Sequence, residues 1–151
     1  MTEHISIQKL DSGSIKHFIE LIRVFEDVFE MKNFVMPDAE YLLQLLKKDI
    51  FHVFVASSNN KVVGGLTAYM LPAYYLKSPS IYIYDLAVKT EFQRKGIGTM
   101  LISNINTYCK SIGVKEVFVQ AELEDSHAID FYKSTGGLAE NVIHFTYPLN
   151  Q

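Results

Sequence analysis

The sequence predicts an α/β (α+β) fold in one domain, residues 1–151, around a mixed sheet. Three observations carry that prediction. Short apolar runs alternate with helical-period runs, giving the order βααβββαβαβ. A strand–helix–strand crossover spans Ile81–Ala121, which makes that portion a right-handed parallel unit. The 151 residues are 48% hydrophobic and 21% charged, enough apolar material for one buried core and too little length for two.

Each element has its own signal. In His4–Leu10, Ile5 and Ile7 alternate with polar residues, as in a short strand. Asp11-Ser-Gly-Ser breaks it and offers a helix cap. From Ile15 to about Phe29, the residues Ile15, Phe18, Ile19, Ile22, Phe25 and Phe29 recur at helical spacing. Met31–Met36 reads as a loop, and Pro37-Asp38 opens a second helix with Tyr41, Leu42, Leu45 and Leu46 on one face. Phe51–Ser57 and Val62–Met70 are β-rich runs joined by the turn signal Ser58-Asn-Asn-Lys61, a hairpin. Gly64-Gly65 inside the second run suggests a bulge or a close backbone approach. Ile81–Val88 is the next strand, and Thr99–Ile112 is helical up to Gly113. Val117–Ala121, a short helix Ser126–Lys133, a Gly136-Gly137 turn and a last alternating strand Val142–Tyr147 complete the chain.

Charge and cysteine usage narrow the function. Fourteen Lys and Arg against seventeen Asp and Glu give a formal charge of -3. A mildly acidic chain lacks the basic face that a nucleic-acid backbone requires, and suits a cationic small molecule instead. The lone Cys109 cannot form an internal disulfide, no apolar run reaches membrane-spanning length, and MTEHISIQKLD lacks a signal-peptide core, so the expected compartment is the cytoplasm. No His/Cys/Asp cluster has metal-ligand spacing, and no metal is expected. Aromatic residues reach 13%, with nine Tyr and no Trp.

The most informative stretch runs from Asp85 to Ile102. A strand leads into a loop containing Gln93-Arg-Lys-Gly-Ile-Gly98, and the loop opens an amphipathic helix. Glycine lets backbone N–H groups approach a ligand, and a helix N-terminus offers free donors and partial positive charge to an anion. Arg94 and Lys95 add charge beside it. A dinucleotide fingerprint would need a glycine where Leu101 stands, and an NTPase phosphate loop would need its lysine after the last glycine, whereas Lys95 precedes the first.

Gln93-Arg-Lys-Gly-Ile-Gly98 resembles the acetyl-CoA pyrophosphate loop of the GNAT superfamily of N-acetyltransferases, and Ala128-Ile-Asp-Phe-Tyr-Lys-Ser-Thr-Gly136 resembles its downstream Ala-x-x-Phe-Tyr-x-x-x-Gly segment. The resemblance covers essentially the whole chain. It implies the GNAT fold, a mixed sheet of six to seven strands flanked by four helices. Ala68-Tyr-Met-Leu-Pro72, Ile81-Tyr-Ile-Tyr-Asp-Leu-Ala-Val88 and Val142-Ile-His-Phe145 are similar, more narrowly, to GNAT aminoglycoside 3-N-acetyltransferases of the gentamicin-acetylating type. Three departures are visible: Asp125 where the superfamily often has Asn, Gly137 where it often has Phe, and Thr146 where the narrower family tends to place an acidic residue.

The resemblance implies direct transfer of acetyl from acetyl-CoA, as co-substrate, to a primary amine. Asp85 would bind or deprotonate that amine, since burial among apolar neighbours raises a carboxyl pKa; the alternative is a structural aspartate at a bulge. Tyr132 would protonate the departing thiolate, or would be an ordinary core tyrosine. Leu86, Ala87 and Val88 would pair their backbone with the pantetheine arm. Gln93, Arg94, Lys95, Gly96, Ile97, Gly98 and Thr99 would hold the pyrophosphate. Tyr84, Glu122, Glu124 and Asp125 would join Asp85 in holding a cationic substrate, with Glu26, Asp27 and Glu30 as further acidic candidates, although each carboxylate singly fits a solvated surface charge as well. Tyr82 and Tyr84 are expected on one face, opposite Asp85. His144 stands in the last strand, where it would meet substrate or serve structure. The partner class is a small cationic amine, with neither nucleic acid nor membrane, and a homodimer is the assembly the resemblance implies. Competing functions are acetylation of a different small amine or a peptide amine, and a catalytically silent acyl-CoA-binding protein.

Overall fold

The computed structural model describes residues 4–150. The chain forms two compact units, residues 1–120 and 121–151. The first holds β1 (Ile5–Lys9), α1 (Ile15–Val28), α2 (Ala39–Leu46), β2 (Phe51–Ser58), β3 (Lys61–Leu71), β4 (Ser80–Val88), α3 (Ile97–Ser111) and β5 (Glu116–Val119). The second holds α4 (Ser126–Ser134). The five strands lie in chain order, with β1 to β4 antiparallel neighbours and β5 parallel to β4.

Local chemistry explains the boundaries. Ser14 occupies the N-cap of α1, but its hydroxyl donates to Asp11 Oδ1 at 3.2 Å instead of capping the helix. Asp38 does cap α2, accepting the Tyr41 N–H at 2.8 Å. Asn59 and Asn60 both have positive φ, 51° and 62°, the backbone of a tight hairpin turn that asparagine tolerates.

The core on one sheet face joins Phe18, Leu21, Val24 and Phe25 of α1 and Leu42 of α2 to Val53, Val55, Val62 and Ala87 of the strands. Gly65 allows that packing. A Cβ there would lie 2.5 Å from the Phe54 carbonyl oxygen and 2.7 Å from Leu21 Cδ1, so any side chain would push α1 off the sheet. A register shift also falls between Ala56 and Ser57 of β2, so the double glycine marks both a bulge and a close approach. On the opposite face His52 is buried, with neither ring nitrogen hydrogen-bonded among the described residues, and its ring lies 5.8 Å from that of Tyr108 in α3. Burial, then the nearby Lys9 charge, holds its pKa below the ordinary value.

One expectation fails. Among the described residues the sheet has five strands rather than six or seven, and Val142–Tyr147 is not a strand. Alternation favours extended backbone, but a strand also needs a neighbour to complete its hydrogen bonds, and residues 138–150 have none in the sheet. Beyond Ile83 and Val119 the pairing of β4 with β5 also ends, and β5 stops short of Ala121.

Candidate active site

The site begins with a change of register on β4. Thr67 and Tyr69 stand two apart on β3 and share a face. Their partners are Asp85 and Tyr82, which are three apart, so a bulge between them absorbs the odd residue. Asp85 therefore faces the same side as Tyr82 and Tyr84. This corrects the expectation from simple alternation, which put the two tyrosines opposite the carboxylate.

The shared face is aromatic. Ring contacts run unbroken from Phe18 through Phe51, Tyr69, Tyr84 and Tyr82 to Phe118, with centroid separations of 5.8, 5.1, 5.7, 5.9 and 4.8 Å. The Tyr82 hydroxyl donates to Gln120 Oε1 at 3.1 Å. Asp85 is half-buried beside this row, and burial raises its carboxyl pKa above the ordinary value. Tyr69 is raised too, by burial first and then by Tyr84, Tyr41 and Asp85. Those causes place the three groups near the Tyr69 phenol, which keeps its proton. Tyr41 and Tyr84 are each 59% exposed, so the carboxylate sits among rings that solvent and a ligand can reach. Such a setting suits an alkylammonium group, which gains from a carboxylate and from aromatic faces together.

Next to Asp85 the strand has an open edge. Tyr84–Val88 continue past the last pair with β5, while on the other side Asp85, Leu86, Ala87 and Val88 remain paired to Thr67, Leu66, Gly65 and Gly64. The β5-facing edge of Tyr84–Val88 thus makes no strand pairs among the described residues. The Val88 carbonyl is filled, since Gln93 Nε2 donates to it at 2.9 Å. Gln93 is therefore a brace between strand and loop.

The chain then makes a 3₁₀ turn at Thr90–Phe92 and enters the glycine loop. Arg94 has φ +62° and Gly96 φ +83°, both left-handed. Left-handed residues interspersed along a loop curl successive N–H groups into an anion-binding concavity. Gly96 is the N-cap of α3 and supplies no side-chain cap, so the first-turn N–H groups of Ile97, Gly98 and Thr99 lack an intrahelical acceptor. Ile97 is 1% exposed and pins the helix start to the core. Lys95 Nζ lies 5.2 Å from the Phe92 ring. The loop, the helix start and the two cations bring N–H donors and positive charge together, a setting suited to an anionic group.

The remaining candidates lie on other elements. In the second unit, Tyr132 is half-buried on α4 with its ring 5.1 Å from Phe131. Its carbonyl accepts the Gly137 N–H at 2.9 Å, and a Cβ at Gly137 would come within 2.8 Å of that oxygen. Asp125 caps α4, its Oδ1 accepting the Ala128 N–H at 3.0 Å. Glu122 and Glu124 are exposed in the preceding turn, and His144 and Thr146 are exposed further on. In the first unit, Glu26, Asp27 and Glu30 line an open depression of about 640 Å³ with Met31 and Lys32. Glu26 is already paired to Arg23 at 2.7 Å. Sequence reasoning missed Tyr69 and Tyr41. Tyr69 carried no local signal, since only the pairing of β3 with β4 brings it beside Tyr82 and Asp85.

Residues 18–136 match the family model for the acetyltransferase (GNAT) family. The chain belongs to the GNAT acetyltransferase family. It is an N-acetyltransferase, and acetyl-CoA is its co-substrate. A crystal structure of the aminoglycoside acetyltransferase meta-AAC0020, from an uncultured soil metagenomic sample and in complex with sisomicin, is 50% identical over 97% of each chain with TM-score 0.95. The aminoglycoside acetyltransferase HMB0005, also from an uncultured soil metagenomic sample, is 32% identical with TM-score 0.92, over 97% of this chain and 99% of that one. An uncharacterized N-acetyltransferase of Methanocaldococcus jannaschii is 30% identical over 104 residues, 68% of this chain; the match spans 46% of that curated relative's length. No described helix is long and apolar enough to cross a membrane.

Proposed function

We propose that this GNAT acetyltransferase acetylates a primary amine of an aminoglycoside, at the 3-N position, and that residues 1–151 act as one catalytic domain. The observation that carries the reading is the bulge that sets the Asp85 carboxylate among Tyr69, Tyr82 and Tyr84 beside an open strand edge. The sisomicin complex of a protein 50% identical to this chain supports the acceptor class. The match of the family model across residues 18–136 supports the single domain. The buried, unpaired Cys109 fits the reducing cytoplasm, the compartment we assign.

The residues divide the work. The N–H groups of Arg94–Thr99, with the Arg94 and Lys95 charges, hold the pyrophosphate of acetyl-CoA. The free edge at Leu86, Ala87 and Val88 receives the pantetheine arm by main-chain hydrogen bonds, and an N–H there polarises the thioester carbonyl. When bound, acetyl-CoA supplies the activated acetyl group. Asp85 attracts the ammonium of the acceptor and takes its proton, directly or through one water. Its raised pKa makes it a stronger base than a solvated carboxylate. Tyr132 returns a proton to the leaving sulfur. Tyr84 and Tyr69 pack the acceptor, and carboxylates around Glu122 and Glu124 draw its remaining amines. Asp125 serves the substrate side only through the helix start it caps.

The test is an amine panel with acetyl-CoA, thiol release and product mass measured together. Gentamicin-class and kanamycin-class drugs are expected to gain one acetyl group, on the 3-amine by fragmentation. Turnover confined to peptide or other small amines would overturn the acceptor assignment.

A further inference from the structure

We propose that the rings around Asp85 form an aromatic cage that recognises the acceptor as an alkylammonium ion, by the carbons on its nitrogen as well as by its charge, so that quaternary ammonium ions fill the site without reacting. The inference deepens the acceptor reading above and rests on it. Its basis is the shape of the corner. The Tyr69 and Tyr84 rings stand at 81° with centroids 5.7 Å apart, and the Tyr84 and Tyr82 rings at 73° and 5.9 Å. Rings set nearly at right angles make walls. The parallel stack of Tyr82 on Phe118, at 6°, continues them as a floor. Tyr41 of α2 and the Asp85 carboxylate both act on the Tyr69 phenol, which puts them at the same corner. Tyr41 and Tyr84 are exposed, so a ligand reaches their faces without displacing the core.

The corner is negative and brings no cation of its own. Asp85 is half-buried, and no ion pair holds it among the described residues. Burial is the one resolved influence on its ionisation, with no Lys or Arg charge acting on it. A carboxylate withdrawn from water without a counter-ion takes one from its ligand. The rings decide which cation that is. Ring faces attract a cation whose hydration is weak enough to give up, and carbons on the nitrogen provide that together with apolar contact. A quaternary nitrogen has the charge and the carbons, but it has no proton for Asp85 to take and no lone pair to attack the thioester. It therefore occupies the cage as a dead end, and the glycine loop stays free for acetyl-CoA.

Choline is the probe, and its control is the uncharged alcohol with a tert-butyl group in place of the trimethylammonium group. In saturation-transfer NMR on the full chain, irradiated ring protons should reach the choline methyls, and titration should show choline binding at least tenfold tighter than the control. Tyr84→Leu should weaken choline roughly two- to fivefold, the share of one exposed ring face, while Tyr84→Phe keeps the face and the affinity. Asp85→Asn should remove the preference for the charged probe. In the acetylation assay, choline should compete with a gentamicin-class amine and not with acetyl-CoA. Absent saturation of the methyls, equal binding of the two probes, or unchanged choline affinity in both Tyr84→Leu and Asp85→Asn would each overturn the cage. Choline that binds through Tyr84 and Asp85 without competing with the amine would keep the ammonium site and overturn the acceptor reading instead.

Discussion

Asp85→Asn is expected to lower kcat/KM for the amine about 10²–10⁴-fold, the contribution of a positioned general base, with acetyl-CoA affinity unchanged. The pH profile should move as well. Asp85 must be ionised to accept a proton, so wild-type kcat/KM should rise as pH increases through its raised pKa, and the variant should lose that limb. The stability effect has the opposite sign. A carboxyl whose folded pKa lies above its unfolded value stabilises the fold below the unfolded pKa, and that contribution disappears as pH rises through the folded pKa. At neutral pH the ionised Asp85 is a cost to folding, so Asp85→Asn should melt at or above the wild-type temperature. Loss of activity with a maintained melting temperature separates a lost base from a damaged fold. Activity equal to wild type would remove Asp85 from the chemistry.

Gly96→Val is expected to weaken acetyl-CoA binding at least tenfold, about 1.4 kcal/mol. The protein itself leaves room there, with nothing within 4 Å of an added Cβ, so packing is undisturbed. The cost comes from conformation and from the ligand side. At φ +83° a β-branched residue is strained by about 1–2 kcal/mol, and relief of that strain would pull the loop N–H groups off their shared focus. Gly113→Val provides the control. It has φ +82°, equally open space and a place at the other end of the same helix. Both variants should lose a few degrees of melting temperature, and only Gly96→Val should lose co-substrate affinity. Equal affinity in the two would dismiss the loop as the pyrophosphate seat.

Much of this was readable in the residues. Helix periods, the Asp38 cap, the Asn-Asn turn and the loop at Gln93–Gly98 are local features, set by residues close in sequence. The orientation of Asp85 was not local. A bulge depends on how β3 and β4 register, so alternation along β4 alone put the carboxylate on the wrong side of Tyr82 and Tyr84. Tyr69 was hidden for the same reason, being brought to Asp85 only by cross-strand pairing. Asp125 carries a local signature of its own, a helix cap whose carboxylate accepts the Ala128 N–H three residues on. The last strand showed the reverse error. Its alternation is genuine, but pairing is a property of two segments, and alternation along one of them does not say that its partner is in place.

The central claim is that the main chain between β4 and α3 holds a pyrophosphate. A crystal structure with acetyl-CoA bound tests it most directly. The expected result is the diphosphate oxygens within hydrogen-bond distance of the N–H groups of Gly96, Gly98 and Thr99, the pantetheine running along Leu86–Val88 and the acetyl group ending beside Asp85. Acetyl-CoA seated on a different surface, with that loop making no contact to phosphate, would contradict it.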